Sequence, residues 1–160
     1  MVNEETGANA INVFPGAAGA ITNIDIDNAE EAIKNSKIFL TQLEAPKDTV
    51  MYAIKKAKDL GVQTILNPAP AADIDKSIFP FIDYFTPNET FSSPIANLSN
   101  PVVDTTGAGD AFNAGFAAAL TEGQNIKDAI SFASATAGLS TTKIGTANSM
   151  PSREEIDKIL

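Results

Sequence analysis

The chain has 160 residues, 44% apolar and 19% charged, which is the size and composition of one soluble globular domain. It holds no His and no Cys, which excludes an imidazole base, a Ser-His-Asp triad, a thiolate nucleophile, disulfides and zinc or iron–sulfur sites built on those residues. With 11 basic against 20 acidic residues the net charge is −9, which argues against nucleic acid or an anionic membrane as partner.

The first ten residues are polar and carry Glu4 and Glu5 where a secretion signal needs bases. No apolar run approaches the ~20 residues that span a bilayer, so the expected location is the cytoplasm. Ala10 to Phe14 reads as a short β-prone run ended by Pro15-Gly16. Asp27 or Asn28 is placed to cap a helix over 28–35. Lys37 to Gln42 reads as a strand with an apolar centre, as parallel sheets require. A helix from Thr49 to Leu60 is predicted next, capped by Asp48 and ended by Gly61. Its Val50, Ala53, Ile54, Ala57 and Leu60 recur at spacings of three and four. Val62 to Leu66 is the following strand, broken by Asn67-Pro68-Ala69-Pro70. Ile82 to Phe85 is a third. Residues 90–101 lack periodicity and read as a loop, and Val102-Val103-Asp104 reads as a strand end. Helices are predicted from the Gly107–Asp110 turn to Leu120, over Ile126 to Leu139, and over Arg153 to Leu160 with Ser152 and Glu155 as a capping box. Strands alternating with helices over short links predict an α/β domain on a parallel sheet.

The stretch Asp104-Thr105-Thr106-Gly107-Ala108-Gly109-Asp110 carries the chemistry. Two glycines permit a sharp turn and a close backbone approach to a ligand. The helix that follows presents unpaired N–H groups and the positive end of its dipole, an anion site that needs no lysine. That matters because residues 61–120 contain six acids and a single base, Lys76. Asp110 lies in the same turn, where it can serve as the weak base that suffices for phosphoryl transfer. The same residues also read as a tight turn followed by a helix-capping Asp. No P-loop and no dinucleotide-binding glycine fingerprint occurs.

Over thirteen residues, Asp104 to Phe116, the sequence closely resembles the C-terminal signature of the ribokinase-like (PfkB-type) carbohydrate kinase family. Gln42-Leu43-Glu44-Ala45-Pro46, Asn67-Pro68-Ala69-Pro70, Thr86-Pro87-Asn88-Glu89-Thr90 and Lys143 to Pro151 follow the family in order and spacing. The resemblance implies a ribokinase-like three-layer fold on a parallel sheet, and transfer of the γ-phosphoryl group of ATP to the 5-hydroxyl of ribose. Asp110 is then the catalytic base and a substrate contact, with Gly107, Ala108 and Gly109 as the anion hole. Glu44 is the sugar-contacting carboxylate. Asn88, Gly109, Asp110 and Ser134 are the nucleotide contacts. The resemblance also implies a monovalent cation, potassium, with ligands at Asp104, Thr106, Ser140, Lys143, Gly145 and Ser149, several through backbone carbonyls. Ribose and ATP are the implied ligands.

Departures from the family pattern set further expectations. Phe91 stands where the family has the Glu of its magnesium-organising Asn-x-x-Glu, so the Mg²⁺ site is not carried over. Residues 90–101 stand in place of a longer segment holding an internal strand. The family's N-terminal strands and lid have no counterpart, and the homodimer the lid supports is not carried over. The expectation is one partial domain over 1–160, a truncated kinase of little or no activity. The alternative is a remnant that binds nucleotide or phosphate without turnover.

Overall fold

Thr22 opens the first helix. Its backbone N–H and hydroxyl both donate to the Asp25 carboxylate, at 2.8 and 2.7 Å, which closes a capping box. In this computed structural model, which describes residues 10, 13–87 and 101–160, α1 (Asn23–Asn28) therefore begins earlier than the predicted start at 28. After a turn at Ala29 the chain continues as α2 (Glu30–Lys34). The predicted strand over 10–14 does not form at Val13 and Phe14; residues 11–12 lie outside the described residues.

The described residues make two compact units, residues 13–87 and residues 101–160 with Ala10. In the first unit, β1 (Ile38–Thr41), α3 (Lys47–Asp59), β2 (Gln63–Leu66) and β3 (Tyr84–Phe85) follow one another. The strands pair in parallel in the order β1-β2-β3, with Phe39 opposite Thr64 and Ile65 opposite Tyr84. Helix α3 buries Val50, Ala53, Ile54 and Ala57, four of the five apolar positions predicted for its inner face. Val50 and Ile54 meet Leu66 of β2 and Ile78 of a 3₁₀ turn (Lys76–Phe81), with Phe39 and Phe85 against the cluster. Ala57 meets Ile33 of α2 and Val62. Lys56 also ties α1 and α2 to α3, with Asp27 and Glu30 oxygens each 2.6 Å from its ammonium. Asp48 is not the cap of α3: Pro46 holds that position and Asp48 lies in the first turn, where the helix dipole favours a carboxylate.

The second unit is helical. α4 (Ala108–Thr121) packs along α5 (Ile126–Ser140), and α6 (Arg153–Asp157) closes the end. Small residues set the spacing of the first two. A Cβ added at Gly115 of α4 would meet the Thr136 hydroxyl of α5 at 2.7 Å and the Ala133 Cα at 3.1 Å. Asn125 caps α5 by accepting the Asp128 N–H. Ser152 and Glu155 form the predicted capping box of α6, which ends at Asp157 rather than Leu160. The Ser152 N–H and the Lys143 ammonium, at 2.7 and 3.0 Å, hold the Glu155 carboxyl down to about 2. Arg153 pairs with Glu122 and lies over the Phe132 ring. The predicted strand end at 102–104 does not form; the Val103 and Asp104 N–H groups both donate to the Thr141 carbonyl at the end of α5.

Candidate functional site

In the helical unit, Asp104 brings the Gly107 turn together with Gly145, two of the sequence-predicted site positions. This side chain is 3% exposed. One carboxylate oxygen accepts the Thr106 N–H at 2.9 Å and the other accepts the Gly145 N–H at 3.0 Å. Hydrogen bonds from Thr106, then from the Gly145 amide, hold its carboxyl below the usual carboxylate range. Asp104 thus clasps the turn before α4 to the turn after α5. Gly107 lies between, with φ +79°, in the left-handed region that favours glycine. A Cβ there would also press on the Thr146 methyl at 3.1 Å, so Gly107 is held twice, by backbone and by neighbour.

Gly109 and Asp110, in the first turn of α4, are exposed. The Ala108 N–H donates to the Thr105 carbonyl at 3.2 Å. The Gly109 carbonyl is taken by the side chain of buried Asn113, at 2.9 Å.

Of the predicted cation ligands, Ser140 and Ser149 are buried, and their hydroxyls donate to the Ala137 and Thr146 carbonyls, both at 2.7 Å. Each hydroxyl oxygen keeps lone pairs for a ligand. Lys143 turns its ammonium to Glu155, which leaves the backbone carbonyl as what it can offer a cation. Asp104 thus offers a buried carboxylate and Ser140 and Ser149 buried hydroxyls, all oxygen donors. Among the described residues no group of three or more acidic side chains gathers as a candidate metal cluster. Ser134 is 6% exposed on α5, and its hydroxyl has no hydrogen-bond partner among the described residues.

Asp104 also sets a pH dependence. A carboxyl lowered in the folded state stabilises the fold above its unfolded value, near 3.8, and that stabilisation disappears as pH falls through the folded value. Asp104→Asn is expected to lower the thermal midpoint at pH 6, and its gap to the parent chain should close on acidification below about pH 4. A gap that stays constant between pH 6 and pH 2 would mean that the charge is immaterial.

The other unit brings its own predicted residues to the carboxyl end of the sheet, where ligands bind in open α/β folds. Glu44 is exposed in the loop after β1, and Thr86 and Pro87 follow β3. Asn88 and Phe91 lie outside the described residues, as do residues 88–100 generally. Asn67, part of a family-like motif in the sequence but given no role there, is 2% exposed one residue past β2. The available signal was a polar residue directly after a central parallel strand.

The chain is similar to known carbohydrate kinases. Residues 92–153 match the pfkB family carbohydrate kinases. The chain is 35% identical to a ribokinase of Bacillus subtilis over 191 aligned positions, which cover 96% of this chain and 65% of that protein. Its fold superposes on the crystal structure of a ribokinase from Thermotoga maritima with a TM-score of 0.80 and 30% identity, covering 99% of this chain and 67% of that one. Against an Arabidopsis thaliana ribokinase complexed with ribose and ATP the TM-score is 0.74 at 27% identity, over 83% of this chain and 58% of that one. The chain belongs to the pfkB family of carbohydrate kinases, within its ribokinase-like branch. It spans just under two thirds of the length of the Bacillus relative.

Proposed function

We propose that the chain carries the phosphoryl-transfer centre of an ATP-dependent kinase for the 5-hydroxyl of ribose, with low turnover on its own. The observation that supports this most is the exposed Asp110 in the first turn of α4, directly after left-handed Gly107. In the reaction the sugar hydroxyl oxygen bonds to the γ-phosphorus, the bond from that phosphorus to the bridging oxygen of ADP breaks, and the hydroxyl proton passes to Asp110. Backbone N–H groups of Gly107, Ala108 and Gly109 stabilise the charge on the transferring group, because they sit at the positive end of α4. Glu44 binds the sugar, and Asn88 and Ser134 contact the nucleotide. A potassium ion held by Asp104, Thr106, Ser140, Lys143, Gly145 and Ser149 would fix the positive field beside the anion site.

Low turnover follows from two features. Phe91 replaces a carboxylate that the family uses around Mg²⁺, and residues 90–101 stand where the family has a longer segment; the Bacillus alignment runs to 191 positions where this chain has 160 residues. Phe91 also favours a second reading, a remnant that binds nucleotide without transfer.

A coupled ADP-release assay separates these readings. Ribose, ATP, Mg²⁺ and K⁺ are supplied together and then omitted one at a time. Slow release that requires ribose and rises with K⁺ is expected. Thermal stabilisation by ATP without ribose-dependent release would favour the second reading, and the absence of both would overturn the two together.

A further inference from the structure

Buried Asn67 joins the ends of all three described strands. Its backbone N–H donates to the Thr41 carbonyl at 3.0 Å, continuing the ladder with β1. Its side-chain nitrogen donates to the Thr86 carbonyl just after β3. Its side-chain oxygen accepts from the Gln42 amide just after β1, at 3.2 Å. Two residues beyond Gln42 is Glu44, and between them the Leu43 N–H donates to the Ala69 carbonyl at 2.8 Å. Only a carboxamide offers a donor to one side and an acceptor to the other in this shape. A carboxylate would set oxygen against the Thr86 carbonyl, and an apolar residue would leave buried polar groups unpaired.

We propose that Asn67 is a positioning residue. It fixes the loop 42–44 against the sheet and so places the Glu44 carboxylate for the sugar. The part that concerns the sugar rests on the function proposed above; the placement of the loop does not. Glu44 is exposed, and no packing around it is needed for this role. What holds it is the loop, whose Gln42 side chain donates to Asn67 and whose Leu43 N–H donates to the Ala69 carbonyl.

Two variants test this in the full chain. Asn67→Ala removes both side-chain links. Gln42→Ala removes the Gln42 side of the link to Asn67, at a half-buried position. The first readout is amide hydrogen exchange by NMR. Exchange at Leu43 should speed up about tenfold in Gln42→Ala and at least as much in Asn67→Ala, while Ile65 in the middle of β2 keeps its protection. The second readout is ribose titration. Its affinity should fall about tenfold in Gln42→Ala, with ATP affinity unchanged. Unchanged exchange at Leu43 in Gln42→Ala would overturn the positioning role, as would equal acceleration at Leu43 and Ile65, which marks general loosening. Selective acceleration at Leu43 in a chain that takes up no ribose would uphold the positioning role and refute the sugar assignment of Glu44.

Discussion

An Asp110→Asn variant is expected to lose phosphoryl transfer by about 10²- to 10⁴-fold, the usual contribution of a positioned general base. The substitution keeps the shape of the side chain in the first turn of α4 but removes its capacity to take the hydroxyl proton. The amide N–H groups at the start of α4 and the turn at Gly107 are backbone features and stay as they are. Stabilisation by ATP should therefore persist in the variant. Single-turnover measurements with enzyme in excess over labelled ATP are the suitable readout, because they register transfer even when turnover is slow. A variant that transfers at the parent rate would mean that Asp110 is only a helix-start carboxylate, the plainer reading its sequence context also allowed.

Gly115→Val is expected to cost about 3 kcal/mol of folding stability, at the upper end for overpacking. That is a large share of the roughly 5–15 kcal/mol that holds a domain together. A Cβ at this position meets the Thr136 hydroxyl at 2.7 Å, the Thr136 Cβ at 3.0 Å and the Ala133 Cα at 3.1 Å, so α4 and α5 must move apart. Helix propensity works in the opposite direction, since valine is a better helix former than glycine by less than about 1 kcal/mol. Packing outweighs it here. Thr136→Ala in the same chain removes the nearest atom. The Thr136 hydroxyl otherwise bonds only within its own helix, to the Phe132 carbonyl at 2.8 Å. The double variant should therefore recover part of the loss. Urea denaturation midpoints of the parent, both single variants and the double variant give the coupling, and additive effects would show that the two residues do not press on each other.

Elements governed by local pattern were legible in the sequence. The inner face of α3, the central strand β2, the Gly107 turn opening α4, and the Ser152 capping box all stand where residue spacing placed them. Errors arose where a neighbour far along the chain decides. Val102 and Val103 read as a strand end, yet the backbone N–H of Val103 goes to Thr141 at the end of α5. The start of α1 was written locally, in Thr22 and Asp25, but the acidic run after Asn28 gave the stronger cap signal. For the site, residue identities at Asp104, Gly107 and Asp110 followed from motif, because backbone geometry there is local. The partnership of Asp104 with Gly145 spans 41 residues, and that of Asn67 with Gln42 spans 25. No periodicity encodes such pairs; the family resemblance grouped Asp104 with Gly145 as ligands of one cation, but the hydrogen bond between them, like that of Asn67 with Gln42, is seen only in the fold.

The bond between Asp104 and Gly145 turns everything between them into a closed ring that holds α4 and α5. Rings tolerate added length unevenly. Extra residues in the exposed link around Gly123 only enlarge the ring, and each doubling of a flexible loop costs about 0.6 kcal/mol. Extra residues between Asp104 and Gly107, or between Thr141 and Gly145, shift the clasp out of register and open the ring altogether. Natural length variation in this half of the protein should therefore collect at the turn between α4 and α5 and be absent from both sides of the clasp.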